Sequence, residues 1–179
     1  MQVHPNIQLI AGRYRLGLAN GEDLVGVADA LLEGGQSDDA VIELASLSNP
    51  IMSEAGPLFE NMCSKLSVVI PNSADAISMV LHESMLTIVS DQSATRRELT
   101  HLVRNIYYPI LSKEHSTKYV GDSRGLENLI GAYWMYDEVH ERPNEVSFQG
   151  KYGQEALLLL DKHVRQLANE WLQRHVSRS

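Results

Sequence analysis

Two places in the sequence put a carboxylate and an imidazole one helical turn apart. Glu98 and His101 form an E-x-x-H motif on a predicted helix, and Asp137 and His140 form a looser D-x-x-H motif. In di-iron helical bundles this spacing places two metal ligands on one helical face. Such a site needs two more inward carboxylates, which Glu60 or Glu83 could provide, but nothing in the flanks of these two residues marks them as ligands. A metal-binding helical enzyme that uses Glu98 and His101 is therefore one alternative, and an ordinary i,i+3 surface pair is the other.

The other candidate catalytic motif lacks a residue that its chemistry requires. His82 and Glu83 open a metalloprotease-like string, but Leu86 stands where the second histidine is required. Lys65 near Cys63 would lower the pKa of a reactive thiol, whereas the apolar neighbours of Cys63 favour a buried structural thiol. The sequence contains no nucleophile elbow, P-loop or dinucleotide fingerprint. These observations favour a non-enzymatic protein with no cofactor.

The charge distribution is strongly asymmetric along the chain. The net charge is −8, and residues 1–91 carry twelve acidic residues against three basic ones. Residues 92–179 carry eleven acidic and twelve basic residues. This argues against a nucleic-acid partner, because phosphates need lysine and arginine. It suits a basic protein partner, whose approach an acidic face accelerates; a solvated face that aids solubility is the alternative.

The stretch from Asn20 to Leu47 is predicted to form two short antiparallel helices that carry much of this negative charge. Asn20 is a good N-cap, and Gly34 and Gly35 provide the end of the first helix. Ser37 is predicted to cap the second helix. The spacing of Asp29 predicts a position opposite the apolar stripe, and the same is expected of Glu33. The acidic residues proposed to contact a partner are Glu22, Asp23, Asp29, Glu33, Asp38, Asp39 and Glu43.

An aromatic cluster near residue 134 is the second candidate for recognition, because tyrosine and tryptophan are enriched at binding hot spots. Trp134 and Tyr136 are interpreted as lying off the face of Leu126, Leu129 and Ile130. They are therefore the two aromatic residues predicted to reach the surface and contact a partner.

The remaining chain predicts an all-α protein, an irregular bundle of about seven to eight helices. Helices are expected over 5–19, 53–66, 73–89 and 154–176, with Ser73 and Asp122 as caps of two helices. Leu66–Ile70 is predicted to be a helix end or connector rather than a strand, and 145–153 is predicted to be irregular. The 179 residues suit a single domain, 1–179, with a soft boundary near the polar connector 112–121.

No membrane span is expected, because the longest apolar runs are four or five residues. The first fifteen residues lack the basic start and continuous apolar region of a signal peptide. The single cysteine, Cys63, cannot form an internal disulfide. These features predict a cytoplasmic protein.

The segment from Leu18 to Leu47, with EDLVGVADALLEGG followed by DDAVIELASL, resembles the opening of small helical bacterial toxin-immunity proteins. These include the immunity proteins of contact-dependent growth inhibition systems. The resemblance implies a cytoplasmic protein that binds one cognate toxin domain, often a basic nuclease, and blocks its active site. We therefore expect a non-enzymatic immunity or inhibitor protein that acts by steric occlusion; a metal-binding enzyme or a helical adaptor protein is the alternative.

Overall fold

A computed structural model of the protein describes residues 5–113 and 118–176. These residues form eight α-helices and one short hairpin, which confirms the predicted all-α, multi-helix fold. The helices are α1 Pro5–Arg15, α2 Gly21–Glu33, α3 Asp39–Ala45, α4 Met52–Lys65, α5 Ser73–Ser90, α6 Thr95–His101, α7 Glu127–Glu141 and α8 Gly153–Val176. Within the described ranges, no helix has both the length and the apolar composition needed to cross a bilayer.

The chain divides into two compact units, Met1–Val80 and Leu81–Ser179. We call them the N-terminal unit and the C-terminal unit. The division falls inside the sequence of α5, not at the connector 112–121, part of which lies outside the described residues. That the whole chain behaves as a single domain stays a prediction.

The N-terminal unit is built on α2, which packs against α1, α3 and α4. The predicted apolar stripe of α2 is buried at Leu24, Val27, Ala28 and Leu31. It joins a continuous apolar core with Val41 and Leu44 of α3 and with Phe59, Met62 and Cys63 of α4. Periodic apolar residues thus fix which face of each short helix turns inward.

The C-terminal unit is built on α7 and α8, and α6 packs against both of them. After α6 the backbone continues as a π-helical segment, Leu102–Tyr107, and the amide of Tyr108 donates to the carbonyl of Val103. The hairpin pairs β1, Ser147–Phe148, with β2, Lys151–Tyr152. The prediction that 145–153 is irregular is therefore wrong, because Gln149 and Gly150 adopt the positive φ angles of a tight hairpin turn.

Several helix ends lie at other residues than the sequence predicts, and in each case a local contact or turn explains the difference. Helix α1 ends at Arg15 rather than Ala19, since Gly17 adopts a left-handed conformation with φ of 68°. Asn72, not Ser73, accepts from the first turn of α5. Asp122 does not cap α7: its carboxylate accepts from the amides of the preceding turn, and α7 begins five residues later. Leu66–Ile70 forms no strand, as predicted.

Candidate functional site

The acidic residues of the N-terminal unit lie on a two-helix scaffold with well-defined ends. The side chain of Asn20 accepts from the amide of Asp23, and the carboxylate of Asp23 accepts from the amide of Asn20 at 2.8 Å. At the other end Gly35 has φ of 83°, and the amide of Gln36 donates to the carbonyl of Leu31. This capping box and glycine turn confirm the predicted start and end of α2.

The second helix of the scaffold is capped by Asp38 rather than by Ser37. The carboxylate of Asp38 accepts from the amide of Ala40 at 3.0 Å, and α3 begins at Asp39. The prediction for Ser37 was wrong by one residue, since both residue types cap helices and the turn decides which one reaches the amide. Two of the seven predicted contact residues, Asp23 and Asp38, therefore already serve helix ends.

The other five acidic residues point outward. Glu22, Asp29 and Glu33 stand seven and four residues apart on α2, so they share one stripe on the side away from the apolar core. All three are exposed, and so are Asp39 and Glu43 of α3. Within the described part of the chain none of the five has a side-chain hydrogen bond or an ion pair. We call these five residues the acidic surface.

A glycine lies inside the acidic stripe of α2. Gly26 is exposed between Glu22 and Asp29, and a Cβ at this position would have no atom within 4 Å. A glycine in a helix interior costs stability relative to alanine. Its effect here is to leave the helix backbone uncovered between carboxylates.

The two aromatic residues predicted to reach the surface differ in their environment. Trp134 is 45% exposed, as expected, whereas Tyr136 is 2% exposed and the surface prediction for it is wrong. Tyr136 follows Leu129 by seven residues, which is two helical turns, so both lie on the buried side of α7. The hydroxyl of Tyr136 donates to the carboxylate of Asp161 in α8. The side chain of Tyr136 is therefore not accessible to a partner in this conformation.

The exposed indole of Trp134 is oriented by the π-helical segment. Its Nε1 donates to the hydroxyl of Tyr108 at 3.3 Å, and Tyr108 closes the π turn. Nearby, Arg104 Nε donates to the hydroxyl of Tyr133 at 2.7 Å. This bond raises the pKa of the Arg104 guanidinium, because the phenol oxygen of Tyr133 accepts from its charged form.

Beside Trp134 lies a pocket of about 520 Å³ that sequence analysis missed. Its lining comes from α7 and from the turn that precedes α7. The lining residues are Tyr119, Val120, Glu127, Asn128, Ile130 and Trp134. The seven-residue spacing of Glu127 and Trp134 was a signal in the sequence, because it puts both side chains on one face of a helix.

The motif Glu98–His101 is integrated into the packing of the C-terminal unit. The hydroxyl of Ser84, which is 2% exposed, donates to Oε1 of Glu98 at 2.8 Å. Nδ1 of His101 lies 3.9 Å from the same oxygen, which is too long for a hydrogen bond. In the described residues no group of three or more histidine, cysteine, aspartate or glutamate side chains is arranged to hold a metal ion.

The single cysteine is buried among apolar residues of α4. Cys63 is 1% exposed, and burial, with a smaller contribution from the charge of Glu60, raises its thiol pKa to about 12. The structural interpretation of Cys63 is thereby confirmed, and the interpretation in which Lys65 lowers its pKa is wrong. A thiol that stays protonated at neutral pH is a poor nucleophile.

Comparison with protein-family models, curated proteins and solved structures finds no match to the chain.

Proposed function

We propose that this chain is a non-enzymatic immunity or inhibitor protein that binds the basic domain of a cognate toxin through its acidic surface. The observation that carries the proposal is the exposure of five carboxylates that have no partner within the described residues. Carboxylates used for folding are paired with other groups, as Asp23 and Asp38 are. Unpaired carboxylates on a fixed helical scaffold are free to pair with lysine and arginine of another protein.

The charge of the whole N-terminal unit supports a role in association. Residues 1–80 contain ten acidic residues and three basic ones. A field of one sign raises the rate at which an oppositely charged protein arrives, and it fixes the orientation of docking more than it adds affinity. Binding would then block the partner's active site sterically, so this chain needs no catalytic residue of its own.

The toxin partner and the bacterial setting follow from the resemblance of residues 18–47 to immunity proteins. A nuclease-type toxin domain fits the charge, because a protein that binds nucleic acid carries basic residues. A cytoplasmic location belongs to the same proposal, since a nuclease would act there. The metal-binding alternative gains no support from the described residues, because no group of three or more potential ligands is arranged there to hold a metal ion.

The proposal is tested with a charge-reversal variant that spares the helix caps. Asp29→Lys, Glu33→Lys and Asp39→Lys are combined, and Asp38 is kept because it caps α3. The matched control combines Glu141→Lys, Glu145→Lys and Glu170→Lys, which makes the same change in net charge in the C-terminal unit. Circular dichroism verifies that both variants are folded.

The partner is first isolated by gentle capture on the wild-type protein from its own host cells and identified by native mass spectrometry. Association rates are then measured at low and at physiological salt. We expect the charge-reversal variant to associate about 10- to 100-fold more slowly at low salt and to lose most of its salt dependence. The control variant should keep the wild-type rate; equal rates for both variants would show that the acidic surface does not guide binding.

The toxin part of the proposal has a separate test in growing cells. The captured partner, produced alone, should arrest growth, and co-production of this chain should restore it. The charge-reversal variant should restore growth less well than the matched control. A partner that is harmless without this chain would reject the immunity function and leave the acidic surface as a binding surface of another kind.

A further inference from the structure

The pocket beside Trp134 combines an aromatic wall, an apolar base and one carboxylate. Trp134 and Tyr119 provide the aromatic surface, Ile130 and Val120 provide apolar contacts, and Glu127 provides the negative charge. A volume of about 520 Å³ lies in the range of small-ligand sites. All lining residues belong to the C-terminal unit, so the pocket shares no residue with the acidic surface.

The carboxylate of Glu127 carries a buried acceptor oxygen. Its Oε2 is buried and has no hydrogen-bond partner within the described residues. A buried acceptor without a donor costs free energy, and more when it is charged. A ligand whose N–H group reaches Oε2 would satisfy this acceptor.

The aromatic rings of the pocket are suited to a cation. The face of an indole or phenol ring attracts positive charge, and tryptophan attracts it most strongly. The ring of Tyr119 already makes such a contact, because Nζ of Lys118 lies 4.9 Å from its centroid. Trp134 is held by the hydroxyl of Tyr108, so its ring is positioned before a ligand arrives.

From these features we propose that the pocket binds a guanidinium or primary ammonium group carried on an apolar stem. The cation would lie between the Trp134 ring and the Glu127 carboxylate and donate to Oε2, while the stem contacts Ile130 and Val120. A guanidinium fits best, since it is planar, stacks on aromatic rings and donates in a fixed geometry. The inference does not depend on the function proposed for the acidic surface.

Three probes that share a butyl stem test separately the contributions of positive charge and of hydrogen-bond donors to binding. Butylguanidinium has charge and donors, butylurea has donors without charge, and butyltrimethylammonium has charge without donors. Binding is followed by calorimetry and by the NMR signal of the Trp134 indole, which is assigned with Trp134→Phe. We expect butylguanidinium to bind with a dissociation constant of about 1 mM or tighter, and the other two probes to bind at least about tenfold more weakly.

Matched variants locate the site. Glu127→Gln should weaken butylguanidinium binding about tenfold or more, whereas Glu141→Gln, the same change near the other end of α7, should leave binding unchanged. Trp134→Leu should weaken binding about fivefold, whereas Leu158→Ala, at an exposed apolar residue of α8, should have no effect. Lys118→Gln should tighten binding, since it removes a cation that already contacts the Tyr119 ring.

Two sources of such a cation are distinguished by a peptide arm. If the natural ligand is a side chain of another protein, acetyl-Gly-Arg-Gly-amide should bind as well as butylguanidinium. If it is a free small molecule enclosed by the pocket, the peptide should bind much more weakly. The proposal is overturned if butylguanidinium shows no saturable binding up to about 10 mM, if Glu127→Gln and wild type bind it equally, or if butyltrimethylammonium binds as tightly.

Discussion

The α2–α3 pair and the α6–α8 region place their polar groups in opposite ways. On α2 and α3 the interior is apolar and the carboxylates of the acidic surface stand outside without partners in the described chain. In the α6–α8 region polar groups are built into the packing. Ser84 donates to Glu98, Arg104 donates to Tyr133 and Tyr136 donates to Asp161.

This difference separates charge that is available to a partner from charge that is used by the fold. Replacing an unpaired surface carboxylate changes stability little, because nothing inside the protein depends on it. Replacing one member of a partly buried pair leaves the other member without its hydrogen bond. Stability measurements therefore distinguish the two regions without knowledge of any partner.

The largest effect is expected from the backbone contact that anchors α2. A Cβ at Gly21 would lie 2.1 Å from the carbonyl oxygen of Pro50, and backbone atoms cannot move aside as the end of a side chain can. Gly21→Ala should lower the free energy of unfolding by about 3 kcal/mol. Chemical denaturation measures this loss.

Gly26→Ala is the matched control in the same helix. A Cβ at Gly26 meets no atom within 4 Å, so the substitution should raise stability by about 0.5–1 kcal/mol. A loss of stability in Gly21→Ala together with a gain in Gly26→Ala would show that α2 depends on its inner contacts alone. A loss at both positions would mean that the outer face is also part of the packing.

An intermediate effect is expected from the Tyr136–Asp161 pair of the C-terminal unit. Tyr136→Phe keeps the buried ring but removes the hydroxyl that donates to Asp161. The free energy of unfolding should therefore fall by about 2 kcal/mol. Glu33→Gln on the acidic surface should change stability by less than about 0.5 kcal/mol. Similar losses of stability in Tyr136→Phe and Glu33→Gln would contradict the distinction between charge used by the fold and charge available to a partner.

A smaller effect than that of the Tyr136–Asp161 pair concerns pH and the apolar core of the N-terminal unit. The Cys63 thiol has a pKa of about 12 in the folded protein against 9.0 for an ordinary thiol. As the pH rises above 9 the unfolded chain releases this proton while the folded chain keeps it, so stability falls through the window from 9 to 12. Between pH 8 and pH 10 the loss should be about 1 kcal/mol under reducing conditions.

Cys63→Ala provides the control for this pH dependence. The substitution removes the Cys63 contribution, so its stability should fall less over the same interval. The loss that remains comes from Tyr14, Tyr107 and Tyr136, whose pKa values are also raised in the folded protein. Urea unfolding at the two pH values gives both numbers. An unchanged slope in the alanine variant would assign the pH dependence to other groups.

Much of the α2–α3 region could be predicted from the sequence, because the interactions that define these helices are local. The Asn20 cap, the glycine turn and the stripe of Leu24, Val27 and Leu31 each act within one helix. The outward position of Asp29 and Glu33 follows from the same periodicity. The cap at Asp38 was missed because Ser37 offers the same chemistry one residue earlier.

The C-terminal site was predicted less well, for two reasons. Tyr136 was assigned to the surface although it follows Leu129 by two helical turns, so the periodicity itself placed it on the buried face; its partner Asp161, 25 residues away, gave no local signal. The pocket needs Tyr119 beside Trp134, and a polar turn gave no signal for that contact. The resemblance of residues 18–47 concerns only the N-terminal unit and could not indicate this pocket.

The π-helical segment Leu102–Tyr107 accommodates one extra residue in the chain that continues α6. Its hydrogen bonds span one residue more than those of an α-helix, so the segment behaves as a one-residue insertion that the helix has absorbed. An insertion into an ordinary α-helix would rotate every later residue by about 100°, whereas the wider turns of this segment absorb most of that rotation. The bond between Tyr108 and Trp134 should therefore tolerate the loss of one residue within this segment better than the loss of one residue from α6.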